Sequence, residues 1–338
     1  MRTVALLGAT GYTGRLVAAE LTRCGVPHRL GGRSAERLAA VPSEADRHLV
    51  DLDDPTSLDA FLDGTDVLVS CVGPFARYGM PVVEAAVRTG TPYVDSTGEF
   101  DFMADVYRRF RDAATPVVPA CGFDYVPGDL AAAVAVEELG GSADEVDVVY
   151  RLQSGAVSRG TARTALDALG TARANPARFV VEGPDGPLSA VEVPWGEHVT
   201  VPQHVPDARV RSGIVAPDLV TRTAAALRPL APLAAPVLKL GRPLLGALVE
   251  RMAEGPRPET RGRTRALVIA QARTGDRTAR VAVHCRDVYG LTARLLVAAS
   301  QRVRGTGAMA PAEALEPRPF LDTVSGTDAN GELRWEML

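Results

Sequence analysis

Lysine is almost missing from this 338-residue chain: of 37 lysines and arginines, only Lys239 is a lysine. A mechanism that needs a catalytic lysine therefore has one candidate. No tyrosine is followed by a lysine four residues later, so the Tyr-x-x-x-Lys pair with which short-chain dehydrogenases deliver a proton is absent. That weakens a short-chain reductase or sugar epimerase reading. The arginine excess is a compositional bias, and it lowers the weight of any single arginine. Cysteine is scarce and scattered: Cys24, Cys71, Cys121 and Cys285 form no C-x-x-C pair and have no histidine at ligand spacing. Structural zinc and a disulfide framework are both disfavoured, and a reducing compartment is expected. Cys71 and Cys121 fall at apparent strand ends, where a small buried hydrophobe is the simpler role. Long apolar runs are missing too. In the Ala-, Leu- and Pro-rich stretch from Ile214 to Met252, the longest uncharged run, Pro229 to Leu238, is far short of the ~20 residues that span a bilayer. The net charge of −4 gives no reason to expect a nucleic-acid partner. The chain enters its first strand at once, without a leader pattern, so a cytoplasmic location is expected. None of the 5 histidines lies in a recognisable motif.

What is present is concentrated near the start. Val4-Ala5-Leu6-Leu7 reads as a short buried strand, and Arg15 to Leu21 as a helix with one apolar face. Between them run Gly8, Ala9, Thr10, Gly11, Tyr12, Thr13 and Gly14, with glycines at G-x-x-G-x-x-G spacing. Strand, glycine turn and helix together make a dinucleotide site: Gly8 for the tight turn, Gly11 for close approach of a pyrophosphate, Gly14 for helix–strand packing. The helix amides and dipole then attract the phosphates. The plain alternative is a glycine-rich turn without a ligand. Where a second strand should end, a cofactor lacking a 2′-phosphate usually meets a carboxylate. Here stand Gly32, Arg33 and Ser34, with Arg37 one turn on. A guanidinium and a hydroxyl suit a phosphate dianion, which favours NADP(H) over NAD(H). The alternative is a solvated surface arginine.

Further along, a helix from Ala35 to Ala40 leads to a third strand, His48 to Asp53. Asp51 is placed over the adenine edge, although capping the helix near Pro55 explains Asp53 and Asp54 equally well. Asp66 to Pro74 is a continuous apolar strand whose end, with Cys71, Val72, Gly73 and Pro74, should lie beside the nicotinamide ribose. A helix from Pro81 to Thr89 follows, with proline in its first turn. Strands at Thr91–Ser96 and Pro116–Cys121 complete a set of βαβ units. The expected fold is α/β, a Rossmann-type doubly wound parallel sheet with an inserted antiparallel α+β substrate domain. Residues 1–140 are expected to be the NADP-binding domain, 141–285 the inserted substrate and dimerisation domain, and 286–338 a segment returning to the first. In the insert, Thr161 to Arg173 is helix-like, Arg178 to Val193 a hairpin turning at Gly183-Pro184-Asp185-Gly186, and Arg263–Gln271 and Thr278–Cys285 two more strands. Ile214 to Met252 reads either as a lid of short helices over an acyl group or as a core-packing linker.

Several segments resemble the saccharopine dehydrogenase-like oxidoreductases, which include the bacterial trans-acting enoyl reductases. They are the glycine turn, Ser70 to Phe75 with Tyr78-Gly79, Tyr93 to Glu99, Cys121 to Leu130, and Tyr289-Gly290-Leu291-Thr292-Ala293. Relatives more often carry Ser where Tyr125 and Gly128 stand, so the pocket edge differs here. The resemblance implies an NADP-binding domain, an inserted domain whose sheet covers the nicotinamide, and a C-terminal return. It fixes no substrate, because members act on amino-acid imines and on lipid or polyketide acyl groups.

Hydride transfer belongs to the cofactor; the protein must orient it, exclude water and handle one proton. Candidates for the proton donor or for a carbonyl or imine clamp are Tyr78, Glu99, Asp124, Tyr125 and Tyr289. Glu99 and Asp124 follow strand ends on the crevice side, where a carboxyl pair holds a proton through like-charge repulsion and burial. Their structural alternatives are a cap on the helix near Pro127 for Asp124 and an arginine partner for Glu99. Arg159 and Arg163 are either a clamp for a carboxylate substrate or solvated surface residues. The leading reading is an NADPH-dependent reductase of a conjugated C=C or a C=N bond in a small lipid, polyketide or amino-acid-derived molecule. The alternatives are a saccharopine-type dehydrogenase acting on C–N bonds and a non-catalytic NADP-binding sensor. A homodimer is compatible with all three, and no metal is expected.

Overall fold

The computed structural model describes residues 1–154, 177–193, 195–215, 255–326 and 333–338. Its first strand, β1 (Val4–Leu7), is four apolar residues, all buried. Such a strand needs neighbours on both edges and cover on both faces. The chain supplies them by alternation: α1 (Tyr12–Arg23), β2 (His28–Gly32), α2 (Ala35–Ala39), β3 (Asp46–Leu49), α3 (Pro55–Leu62), β4 (Val67–Ser70), α4 (Phe75–Thr89), β5 (Tyr93–Asp95), α5 (Phe100–Arg109), β6 (Pro116–Val118) and α6 (Val126–Glu138). With β13 (Gly307–Ala308) from the C-terminal part of the chain, the strands form a parallel sheet in the order β13-β6-β5-β4-β1-β2-β3. Strand order reverses between β1 and β4, and the carboxyl ends of these two strands open the crevice where α/β sheets bind ligands.

A second sheet follows: β7 (Glu145–Ser154), the hairpin β8 (Arg178–Gly183) and β9 (Gly186–Glu192), α7 (Glu197–His204), β10 (Arg209–Ile214), α8 (Pro258–Arg261), and the long hairpin β11 (Arg265–Thr274) and β12 (Arg277–Arg286). The chain ends with α9 (Val288–Arg302), β13 (Gly307–Ala308), α10 (Pro311–Ala314), α11 (Pro317–Val324) and β14 (Leu333–Met337). The second sheet curls until Phe179 and Val181 of β8 share a small core with Leu267 and Ile269 of β11. Between the sheets lies α6, apolar on every side and buried along most of its length, as a helix enclosed by protein must be. It packs on β7, β11 and β12, and one apolar cluster runs from Val4 and Leu6 through Leu130 and Val134 to Val268 and Val281.

Four expectations are corrected. The second sheet is mixed rather than antiparallel, because β10 returns beside β7 in the same direction. The C-terminal segment divides between the sheets. Helix α9 packs on α1, β4 and β5, and β13 extends the first sheet, but β14 pairs with β12 in the second. Helix α4 starts at Phe75, so Pro81 lies inside it. Strand β3 ends at Leu49, four residues short of Asp53, because Asp51 and Asp54 are used in the turn leading into α3. Thr161–Arg173, with Arg159 and Arg163, and residues 216–252 of the Ile214–Met252 stretch lie outside the described residues.

Candidate active site

The glycine turn is a cradle from which side chains are excluded. Gly8 has φ +82°, and a Cβ there would lie 2.7 Å from the carbonyl oxygen of Cys71. A Cβ on Gly14 would lie 2.1 Å from the carbonyl oxygen of Gly8, so α1 touches the turn through backbone alone. At Gly11 a Cβ meets only Gly8, at 3.4 Å, and no side chain caps the N-terminus of α1. The opening amides of α1 are thus left for an anionic group, and these residues fit a dinucleotide pyrophosphate.

Around the cradle, the other sequence candidates take distinct places. The Thr10 carbonyl accepts from Arg15 Nη1 (2.6 Å) and Arg37 Nη2 (3.2 Å), so Arg37 braces the turn. Ser34 caps α2, its hydroxyl accepting from the Arg37 amide. Arg33 is exposed, its guanidinium 5.8 Å from the centre of the Tyr78 ring. Tyr12 turns away, donating to the Pro256 carbonyl (2.8 Å) and meeting Tyr289 edge to face at 5.3 Å. Only its backbone faces the cradle. Asp51 accepts from the Asp53 amide in a local turn, and Asp54 caps α3 through the Thr56 amide. Cys71 and Val72 lie against Gly8, while Gly73 and Pro74 lead into α4. Burial pushes the Cys71 thiol up to about 12 and raises the Cys121 thiol well above its ordinary range, so neither supplies a thiolate.

The opposite wall is built on Asp95 at the end of β5. Its carboxylate accepts from the Tyr93 hydroxyl (2.6 Å), the Thr97 amide (2.9 Å) and the Ala120 amide (2.8 Å). Burial pushes it up to about 6 against the pull of those hydrogen bonds. The tether fixes the turn after β6, where Ala120 is left-handed at φ +62°, and so presents Cys121 to Tyr125 at the crevice. Asp124 is exposed, just past the end of β6. Desolvation pushes its carboxyl up to about 6, and Gly98 gives it room. It does not cap α6, whose N-terminus has no side-chain cap.

Glu99 and Tyr125 are placed differently. The two Glu99 oxygens accept from the amides of Phe75 and Ala76, each at 2.7 Å, and so cap α4. Among the described residues no arginine pairs with Glu99. Tyr125 is buried and its hydroxyl donates to the Gly98 carbonyl (3.1 Å), a strut between two loops. Beside it lies a cluster that no sequence motif signalled. The Tyr150 hydroxyl donates to Glu197 Oε1 at 2.6 Å, Trp195 stacks on Tyr150 at 5.4 Å, and Phe123 meets Tyr150 edge on. Glu197 is fully buried, and burial pushes it up to about 8, so at neutral pH it is a carboxylic acid. A Cβ on Gly128 would lie 2.5 Å from the Tyr150 hydroxyl, so the departure from Ser at Gly128 makes room for this pair. Asp95 and Arg77, at 5.0 Å from the Tyr78 ring, also escaped the sequence reading. Among the described residues no acidic, cysteine or histidine cluster is arranged to hold a metal, and no helix is long and apolar enough to cross a membrane.

Comparison with known proteins agrees with this geometry. Residues 4–118 match the family model of the saccharopine dehydrogenase NADP-binding domain. The chain is 38% identical over 200 residues to the trans-acting enoyl reductase of Mycobacterium tuberculosis, covering 54% of this chain and 48% of that protein. It is 41% identical over 141 residues to that of Mycobacterium leprae, covering 38% and 34%. The chain thus spans about half or less of the length of these curated relatives. Among solved structures, apo saccharopine dehydrogenase (L-Glu forming) from Saccharomyces cerevisiae superposes with a TM-score of 0.66 over 100% of both chains at 15% identity, a likeness of fold. Residues 4–118 are thus similar to the saccharopine dehydrogenase NADP-binding domain, on a chain that shares the fold of the yeast enzyme.

Proposed function

We propose that this chain is an NADPH-dependent reductase whose substrate is an acyl group with a conjugated C=C bond. The observation that carries the reading is Asp124. It is an exposed carboxyl pushed up to about 6, on the same strand-end rim as the glycine cradle and flanked in the chain by the aromatic Phe123 and Tyr125.

When bound, NADPH supplies the hydride. The backbone from Gly8 to Gly14 holds the pyrophosphate, Arg33 takes the 2′-phosphate, and Ser34 and Arg37 fix the turn that carries it. Asp51 stays at the adenine edge, and Cys71, Val72, Gly73 and Pro74 border the nicotinamide half. Asp124 holds a proton on its carboxyl and gives it to the substrate. Glu99 and Tyr125 act by position, one fixing α4 and the other the Gly98 loop. The second sheet supplies the substrate wall through Tyr150 and, beyond it, Trp195. The enoyl reading also rests on the relatives named trans-acting enoyl reductase.

An imine or amino-acid substrate needs a clamp for its carboxylate, and among the described residues Asp124 is flanked by the aromatic Phe123 and Tyr125 instead. The yeast neighbour's name keeps that chemistry as the second reading. NADPH carrying deuterium at the transferable position separates the readings. Deuterium on the β-carbon of a saturated acyl product supports the proposal. Deuterium on a nitrogen-bearing carbon overturns it for the dehydrogenase, and NADPH binding without consumption by either substrate class overturns it for a binding protein.

A further inference from the structure

Two guanidinium groups converge on one ring beside the cradle. Arg33 lies 5.8 Å and Arg77 5.0 Å from the centre of the Tyr78 ring. Both arginines are exposed, and among the described residues neither meets a carboxylate. Neighbouring surface arginines behave otherwise: Arg23 pairs with Glu20, Arg88 with Asp59, Arg108 with Asp105 and Arg109 with Glu84. The topology gives the convergence its meaning. Arg33 directly follows β2, while Arg77 and Tyr78 lie in the first turn of α4, just past β4. Strand β1 runs between those two strands, so the contact passes over the carboxyl end of β1, beside the glycine turn.

Two like charges held near each other without a counterion repel. The ring offsets only part of this, since an exposed cation–π contact contributes about 0.5–1 kcal/mol. A phosphate monoester dianion satisfies both guanidinium groups at once, each through a planar pair of N–H donors. The pyrophosphate is the business of the α1 amides, and the segment after β2 is where the 2′-substituent of an adenosine ribose belongs.

We propose that Arg77 is a second reader of the cofactor 2′-phosphate, acting with Arg33 beside the Tyr78 ring, and that Tyr78 is the floor of this subsite. The proposal rests on the NADP reading and adds to it residues that the glycine motif does not reach. It moves Tyr78 from the proton donors to the binding residues. It also gives Glu99 a task beyond capping: by fixing the first turn of α4 it positions Arg77.

Calorimetric titration with two fragments, adenosine 2′,5′-bisphosphate and 5′-AMP, tests the subsite without turnover. The unmodified chain binds the bisphosphate more tightly. Arg77→Ala weakens bisphosphate binding about tenfold, the size of one charge-assisted hydrogen bond, and leaves 5′-AMP within about twofold. Arg33→Ala does the same, and the double variant abolishes the discrimination. Tyr78→Phe keeps the ring and the bisphosphate affinity, while Tyr78→Leu loses affinity as an arginine variant does. Arg77→Ala binding the bisphosphate as tightly as the parent, or losing both fragments equally, overturns the role of Arg77. Loss of bisphosphate affinity in Tyr78→Phe overturns the role of the ring. A parent chain that binds both fragments equally overturns the NADP reading underneath, a different result from either.

Discussion

The carboxylate of Asp95 accepts the backbone amide of Ala120 at 2.8 Å, joining the ends of β5 and β6 where the chain enters a left-handed turn. An alanine in that conformation costs roughly 1–2 kcal/mol, so something must hold it there. Asp95 does so while also receiving Tyr93 and Thr97. Asp95→Asn places an amide donor among three donors and should lower stability by about 2–3 kcal/mol. Ala120→Gly relieves the strain but loses a buried methyl, and should change stability by less than about 1 kcal/mol. Denaturant titration checks both; an Asp95→Asn chain as stable as the parent removes the tether from the account.

The glycines separate folding from binding. Gly14→Ala puts a methyl 2.1 Å from the Gly8 carbonyl, so α1 must move, and stability and NADPH affinity should fall together. Gly11→Ala meets only an ordinary contact at 3.4 Å, so melting should stay near that of the parent while NADPH affinity drops by at least about tenfold. Gly11→Ala binding NADPH normally would mean that no phosphate approaches that backbone.

These features differ in how far the sequence showed them. Strand β1, the glycine turn and the β8–β9 hairpin are local patterns of period and turn chemistry, readable within about a dozen residues. The start of α4 was not, because its cap is Glu99, 24 residues from Phe75. A helix capped from a distance has no N-cap signature, so Pro81 was the only visible start signal. The Tyr150–Glu197 pair spans 47 residues, and β14 joins the second sheet because β12 offers it a free edge. Such pairings depend on the assembled sheets, and a single sequence leaves them unmarked. Arg77 was hidden for another reason: in an arginine-rich chain, its type says nothing until the Tyr78 ring and Arg33 appear beside it.

Glu197 sets a pH dependence of stability. Burial pushes it up to about 8 from the ordinary carboxyl value near 4.5, so the unfolded chain releases this proton first as pH rises. The stabilisation is complete below about pH 4.5 and is lost progressively up to about pH 8, amounting to a difference on the order of 5 kcal/mol. Glu197→Gln keeps an acceptor for Tyr150 and cannot ionise. Its stability relative to the parent should therefore rise between pH 5 and 8 and level off above. Parallel melting curves across that range would show that Glu197 does not titrate there.

His204, at the opposite end of α7 from Glu197, works in the same direction. Its Nε2 lies 2.9 Å from Asp129 Oδ1, and Asp129 Oδ2 accepts the Ala312 amide. Burial disfavours the imidazolium, but Asp129 outweighs it and raises the His204 pKa. The ion-pair contribution is full below the unfolded value near 6.5 and is lost as pH passes the raised folded value. His204→Gln should thus cost more stability at pH 6 than at pH 9, and an equal cost at both would mean a neutral hydrogen bond only.

Glu99 and Asp124 look alike in the sequence, both acidic and both just past a strand on the crevice side. Their surroundings make opposite predictions. Glu99 spends both oxygens on the Phe75 and Ala76 amides, so Glu99→Gln should lower stability by about 1–2 kcal/mol, as loss of a cap does. Among the described residues Asp124 accepts no such bond, and desolvation raises its carboxyl to about 6. Asp124→Asn should leave melting nearly unchanged, lower kcat by about 10²- to 10⁴-fold, and remove the limb of the pH–rate profile near pH 6. Above that pH the parent enzyme should slow as the proton is lost, whereas the variant should run at a low, flat rate. Kinetics of the two variants with NADPH in excess decide the assignment. If Glu99→Gln flattens the profile and Asp124→Asn keeps it, the proton is held at the helix cap and the roles are reversed.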